Sequence, residues 1–162
     1  MNAEAAKIVE QLDLAPLPHE GGYFRRIWTS ASTLAPERRP AASAIHFLLT
    51  RRNFSALHRL HMEELWFFHS GDPIDHVRLA HGSAPKVTTL GPEITPGASG
   101  YCHVAAGNWQ GARLHSTGVR GWTLLHCVVA PSWDEREFEL GDRDALTREF
   151  PAAVEWIQAL TR

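Results

Sequence analysis

Between residues 42 and 129 the chain is a series of short apolar-alternating segments, broken at near-regular intervals by glycine and proline. Residues 44–50, 54–60, 64–69, 74–80, 85–90, 101–105, 109–115 and 121–129 each read as a strand. Gly82, Gly91-Pro92, Pro96-Gly97, Gly100, Gly107 and Gly118 supply the turns. No helical periodicity interrupts the series. The pattern therefore predicts an all-β fold, an antiparallel sandwich or barrel.

The flanks read differently. Ala5, Ile8, Val9 and Leu12 share one face of a short helix, which Pro16 and Pro18 end. His19-Glu20-Gly21-Gly22 reads as a turn whose paired glycines serve positive φ or a close approach. It feeds a strand over residues 23–29, and residues 30–41 read as an exposed loop. Near the other end Asp142 can cap a helix running to Glu149. Pro151 suits the first position of a last helix that carries Ala153, Ile157 and Leu160 on one side. Helices are thus expected only near the termini, laid over a sheet face.

At 162 residues one domain is expected, and a net charge of −2 gives no electrostatic case for nucleic acid or an acidic membrane. Lys7 and Lys86 leave few candidates for Schiff-base chemistry. Cys102 and Cys127 lie far apart in apolar runs and read as reduced core thiols. With no signal-like start and no long apolar run, a cytoplasmic protein is expected.

Chemistry concentrates in residues 58–71. Two strands joined by a tight turn would set His58 opposite Glu64 on one face. An imidazole facing a carboxylate can bind a divalent metal, transfer protons, or form a buried structural pair. If Glu64 faces inward, alternation sends Trp66 and Phe68 inward too, with Ala56 and Leu60 flanking His58. Gln110 and Ala112 would join from a later strand, and His46, with the parity of Ala44 and Leu48, could join as well. His61 has the opposite parity and is expected outside. His69, His76, His81 and His115 read as loop or outer-face residues, and Trp109 as outward packing or ligand contact.

These residues resemble the two motifs of the cupins. Six residues separate Glu64 from Gly71, and His58 stands six positions before Glu64. The run from Gly100 through Gly107 to Gln110 is similar to the second motif. In this resemblance two of the four metal-ligand positions fall on Leu60 and Gln110, and the second motif's proline on Ala105. Glu20-Gly21-Gly22-Tyr23-Phe24, Phe47-Leu48-Leu49, Glu63-Glu64-Leu65-Trp66, Gly71-Asp72-Pro73, Gly107-Asn108-Trp109-Gln110 and Val128-Val129-Ala130-Pro131 occur in order. Together they resemble the fifth cupin grouping, catalogued as predicted sugar epimerases, over residues 12–150. The resemblance implies a double-stranded β-helix (jelly roll), a homodimer, and similarity to deoxysugar-nucleotide epimerases.

Three functions follow. In a metal-independent epimerase or isomerase of a sugar-like small molecule, His58 paired with Glu64 would be the base, over His46, Trp66, Phe68 and Gln110. The resemblance to the deoxysugar epimerases implies a tyrosine as the acid, and Tyr23 and Tyr101 are the two present. In a non-catalytic binding barrel the same groups would orient the ligand. No cofactor is expected; a divalent metal at His58 and Glu64, as in a cupin oxygenase, is the third reading, with Leu60 and Gln110 poor ligands. The dimer contact is expected where residues 23–29, with Ile27 and Trp28, cover a partner's sheet edge.

Overall fold

The computed structural model describes residues 1–92 and 96–162. Helix α1 (Ala3–Gln11) opens the chain; the Asn2 side chain caps it by accepting from the Ala5 N–H at 2.9 Å. Then come β1 (Ala15–Pro16), β2 (Tyr23–Thr29), β3 (Thr33–Leu34), β4 (Arg39–Pro40), β5 (Ser43–Thr50) and β6 (Ser55–Leu60). The barrel continues with β7 (Glu63–Gly71), β8 (Ile74–Leu79), β9 (Lys86–Leu90), β10 (Ala98–Ser99), β11 (Tyr101–Val104), β12 (Trp109–Leu114) and β13 (Trp122–Ala130). After β14 (Phe138–Leu140), helices α2 (Arg143–Glu149) and α3 (Val154–Leu160) close it. Asp142 caps α2 through the Ala145 N–H at 2.9 Å, and Pro151 opens a 3₁₀ turn leading into α3.

Among the described residues two sheets face each other, in the orders β1-β2-β5-β13-β7-β11 and β10-β9-β8-β12-β6-β14. Pairing is antiparallel except for the short β9–β10 contact. Successive strands β5, β6, β7 and β8 alternate between the sheets, the wrapping of a jelly roll. This corrects the expected β6–β7 hairpin. Both edges of β6 are taken, by β12 and β14, so β7 must turn across to the other sheet. His58 and Glu64 therefore approach across the barrel interior, not side by side. The loop expected over residues 30–41 also contains a β3–β4 hairpin. Arg39 ties it down by donating to the Ser132 carbonyl and Glu137, each at 2.7 Å.

Three apolar layers result. Phe47, Leu49, Trp66, Ile74, Leu125 and Cys127 fill the space between the sheets. Leu48 and Leu124 lie on the outer face of the first sheet, under Ala5 of α1. Leu57, Val77, Leu79 and Trp109 lie on the outer face of the second sheet, under Leu146, Ile157 and Leu160. Ile157 and Leu160 have no exposed surface; burying each contributes roughly 1.5–3 kcal/mol. Each sheet is thus apolar on both faces over part of its width, which weakens period-two alternation as a guide to which side is inside.

Candidate functional site

A cavity of ≈ 110 Å³ opens between the sheets against β2, β5, β7 and β13. Its polar groups are Glu20, Arg26, Ser43 and Glu64; its apolar walls include Phe24, Phe47, Trp66 and Trp133. The volume is well above the ~10–15 Å³ that one water needs and below the roughly 300–1,000 Å³ of drug-sized sites.

Glu64 sits on β7 with its carboxyl buried. Across the barrel the Gln110 amide on β12 donates to Glu64 Oε2 at 2.6 Å, and Gln110 Oε1 accepts from His76 Nε2 at 3.3 Å. Burial pushes the Glu64 pKa up to about 7; the Glu20 charge adds to the rise, while His58, the Gln110 hydrogen bond and the Trp66 indole oppose it. Trp66 lies close enough to favour the anion, but its Nε1 closes no hydrogen bond of normal geometry. Trp66 packs edge-on against His76, ring centroids 4.8 Å apart.

Glu20 enters from the loop before β2. His19, Gly21 and Gly22 take φ of 63°, 105° and 76° around it. A Cβ at Gly22 would lie 2.7 Å from the Phe47 ring and 2.8 Å from the Leu48 carbonyl, so only glycine fits. The Glu20 carbonyl accepts from the Ala56 N–H at 2.9 Å and from Arg162 at 3.2 Å. Its buried side chain accepts from the Ser55 hydroxyl at 2.7 Å. Ser55 faces inward because of an irregularity in the β6–β12 pairing: Gln110 opposes His58 while Ala112 opposes Ser55.

Of the residues singled out from sequence, Glu64 and Trp66 line the cavity, and Gln110 holds Glu64 from behind. His58 is buried inside the barrel but makes neither a hydrogen bond nor an ion pair with Glu64. Its Nδ1 donates to the Ala56 carbonyl at 2.8 Å, and its ring stacks on Phe138. Phe68 packs on the interior core away from the cavity walls. His61 is exposed. Two expectations are overturned. Ile45 and Phe47 point inward on β5, so His46 faces outward, its ring tilted against His126 with centroids 4.9 Å apart. On β2, Phe24 takes the inner side and Tyr23 packs under α1. Tyr101 is 57% exposed.

Sequence reading missed Glu20, Arg26, Trp133 and His76. His76 was expected on an outer face, yet it has no exposed surface and faces inward. Burial is the main reason its pKa falls to about 3, so it is a neutral ring. The double glycine after Glu20 was the available signal: a forced backbone there fixes what precedes it. For Arg26 and Trp133 the sequence carried no comparable mark.

The donors do not suit a metal. Gln110 presents its amide N–H to Glu64 and spends its carbonyl on His76. Leu60 is buried among Met62 and Val129. Among the described residues no group of three His, Cys, Asp or Glu side chains is placed to hold a metal ion. Cys127 lines the cavity, but burial raises its thiol pKa well above the ordinary value, which removes it as a nucleophile.

A family model described as Cupin superfamily (DUF985) matches residues 6–141. No curated protein matches the chain. A solved protein from Shewanella oneidensis is 28% identical with a TM-score of 0.87, over 100% of this chain and 98% of its own. A hypothetical protein from Leishmania major is also 28% identical, with a TM-score of 0.88 over 99% of each chain. Oxalate decarboxylase from Bacillus subtilis shares the fold alone, with 14% identity and a TM-score of 0.57 over 92% of this chain and 38% of that one.

Proposed function

Because the chain belongs to the DUF985 family of the cupin superfamily, whose fold does not fix a reaction, we propose its function from the cavity itself. It is a small-molecule-binding barrel in which Glu64 exchanges a proton with the ligand without a metal. The observation that carries this is a buried carboxyl facing a cavity, held near neutrality by its surroundings. A group with a pKa near the working pH is populated in both forms, the condition for general acid–base work. Gln110 occupies Oε2, so Oε1 is the oxygen left for the ligand. His58 opposes the rise of the Glu64 pKa but makes no hydrogen bond with that carboxyl, and it is not the base.

A sugar-nucleotide ligand draws little support: the cavity is small, and no tyrosine is among the residues that line it. The reading narrows to isomerase- or epimerase-type proton transfer on a small molecule. A binding barrel without turnover is the second reading, favoured by that missing tyrosine. To separate the two, the protein is incubated in D₂O with short-chain hydroxy ketones and amino acids, and deuterium is followed by mass spectrometry. Entry that Glu64→Gln abolishes supports catalysis. Entry that survives Glu64→Gln contradicts it.

The assembly we propose is a homodimer through β2. Strand β1 pairs only with Tyr23 and Phe24, which leaves the edge over residues 25–29 beside Ile27 and Trp28, 44% and 50% exposed. A monomer in light scattering at micromolar concentration contradicts this. Among the described residues no helix is long and apolar enough to cross a membrane. The two buried free thiols suit a reducing compartment, and we assign the protein to the cytoplasm on that ground.

A further inference from the structure

The cavity holds two carboxylates, and the protein satisfies only half of each. Glu64 Oε2 accepts from Gln110 and Glu20 Oε1 from Ser55. Among the described residues no hydrogen bond reaches Glu64 Oε1 or Glu20 Oε2. Glu20 and Glu64 are 8% and 6% exposed and close enough for one charge to raise the other's pKa. The buried Trp66 Nε1, also in the wall, lies near the Glu64 carboxyl but closes no hydrogen bond of normal geometry. Two like charges set into apolar walls are unfavourable unless a cation comes between them. The aromatic walls of Phe24, Phe47 and Trp133 suit a cation as well, since a ring face attracts an ammonium group. At the rim the one positive side chain lining the cavity, Arg26, is exposed and makes no ion pair among the described residues.

Resting on the reading of this cavity as a ligand site, we propose that its ligand is a small zwitterionic amine. The ammonium head lies between Glu20 and Glu64, and the carboxylate tail meets Arg26. A primary ammonium donates N–H groups to both free carboxylate oxygens. A bare divalent cation would lack ligands here, because hard cations take about six oxygens and the remaining walls are largely apolar. A neutral polyol would leave its hydroxyls against phenyl and indole rings. A simple anion would meet Arg26 but place its own charge against two carboxylates. The loop around Glu20 strengthens the assignment. Three residues of positive φ and the bond from Arg162 serve to bring one acidic side chain into the cavity.

The test uses matched pairs on the unaltered protein by calorimetry at pH 8. β-Alanine is compared with butanoate, and γ-aminobutyrate with pentanoate, so that each pair differs only by ammonium against methyl. The longer ω-amino acids follow in the same way. At least one amino acid is expected to bind about tenfold or more tighter than its alkanoate, a ratio equivalent to about 1.4 kcal/mol. Glu20→Gln and Glu64→Gln should each erase that preference, and Arg26→Ala should weaken γ-aminobutyrate more than propylamine. Alkanoates binding as tightly as the amino acids would overturn the proposal, as would no binding by any amine in the series. Neither result would touch the proton-exchange reading, which deuterium entry and the titration of Glu64 test separately.

Discussion

Gln110 and Glu64 belong to opposite sheets, and their 2.6 Å hydrogen bond is the polar link across the barrel interior. The Gln110 amide gives its N–H to the carboxyl and its carbonyl to His76, so three side chains form one line. One end of that line is a carboxyl with a raised pKa and the other an imidazole with a lowered one. The two ends make opposite predictions about pH.

Glu64 keeps its proton in the folded state up to a pKa of about 7, whereas the unfolded chain loses it near 4.5. Its contribution to stability is present below pH 4.5, declines as pH rises to about 7, and is flat above that. The decline is on the order of 3 kcal/mol. Urea titrations across this range should show it in wild type and not in Glu64→Gln, which should be the more stable of the two at pH 8.

His76 acts in the other direction. It stays neutral down to a pKa of about 3, while the unfolded chain takes up a proton near 6.5. Stability is therefore lost as pH falls from 6.5 toward 3, by several kcal/mol. His76→Leu should be less sensitive to acid than wild type, although it starts lower because Gln110 Oε1 loses its donor. A variant whose stability falls as steeply as that of wild type between pH 6.5 and 3 would contradict this role for His76.

Gly22→Ala should damage the cavity through the backbone. A left-handed alanine costs about 1–2 kcal/mol, and the crowding against Phe47 and Leu48 adds roughly 1–3 kcal/mol. A fall in Tm on the order of 10 °C is expected. If Glu20 is displaced as well, the Glu64 midpoint should move down, because a neighbouring negative charge is withdrawn.

Much of the fold could be read from the order of the residues because strands, turns and caps are local. The strand over residues 23–29 and the Asp142 cap were found where expected. Partner choice is not local. Nothing between Leu60 and Glu63 announces that β6 is already flanked on both edges and that β7 must cross to the other sheet. Orientation failed where a helix buries the outer face. Leu48 under α1 made the His46 side of β5 look interior, and Val77 and Leu79 under α2 and α3 hid the inward turn of His76. Glu64 and Trp66 were found because β7 carries exposed Glu63 and Phe67 on its outer side, so its alternation is clear.

If Glu64 holds an exchangeable proton near neutral pH, the titration of its carboxyl will show it. Glutamate side chains are labelled at the carboxyl carbon with ¹³C and their shifts followed by NMR from acid to alkaline pH, with Glu64→Gln identifying the resonance. The resonance missing from the variant should have a midpoint near 7 in wild type. A midpoint near 4.3, the usual value for an exposed glutamate, would contradict it.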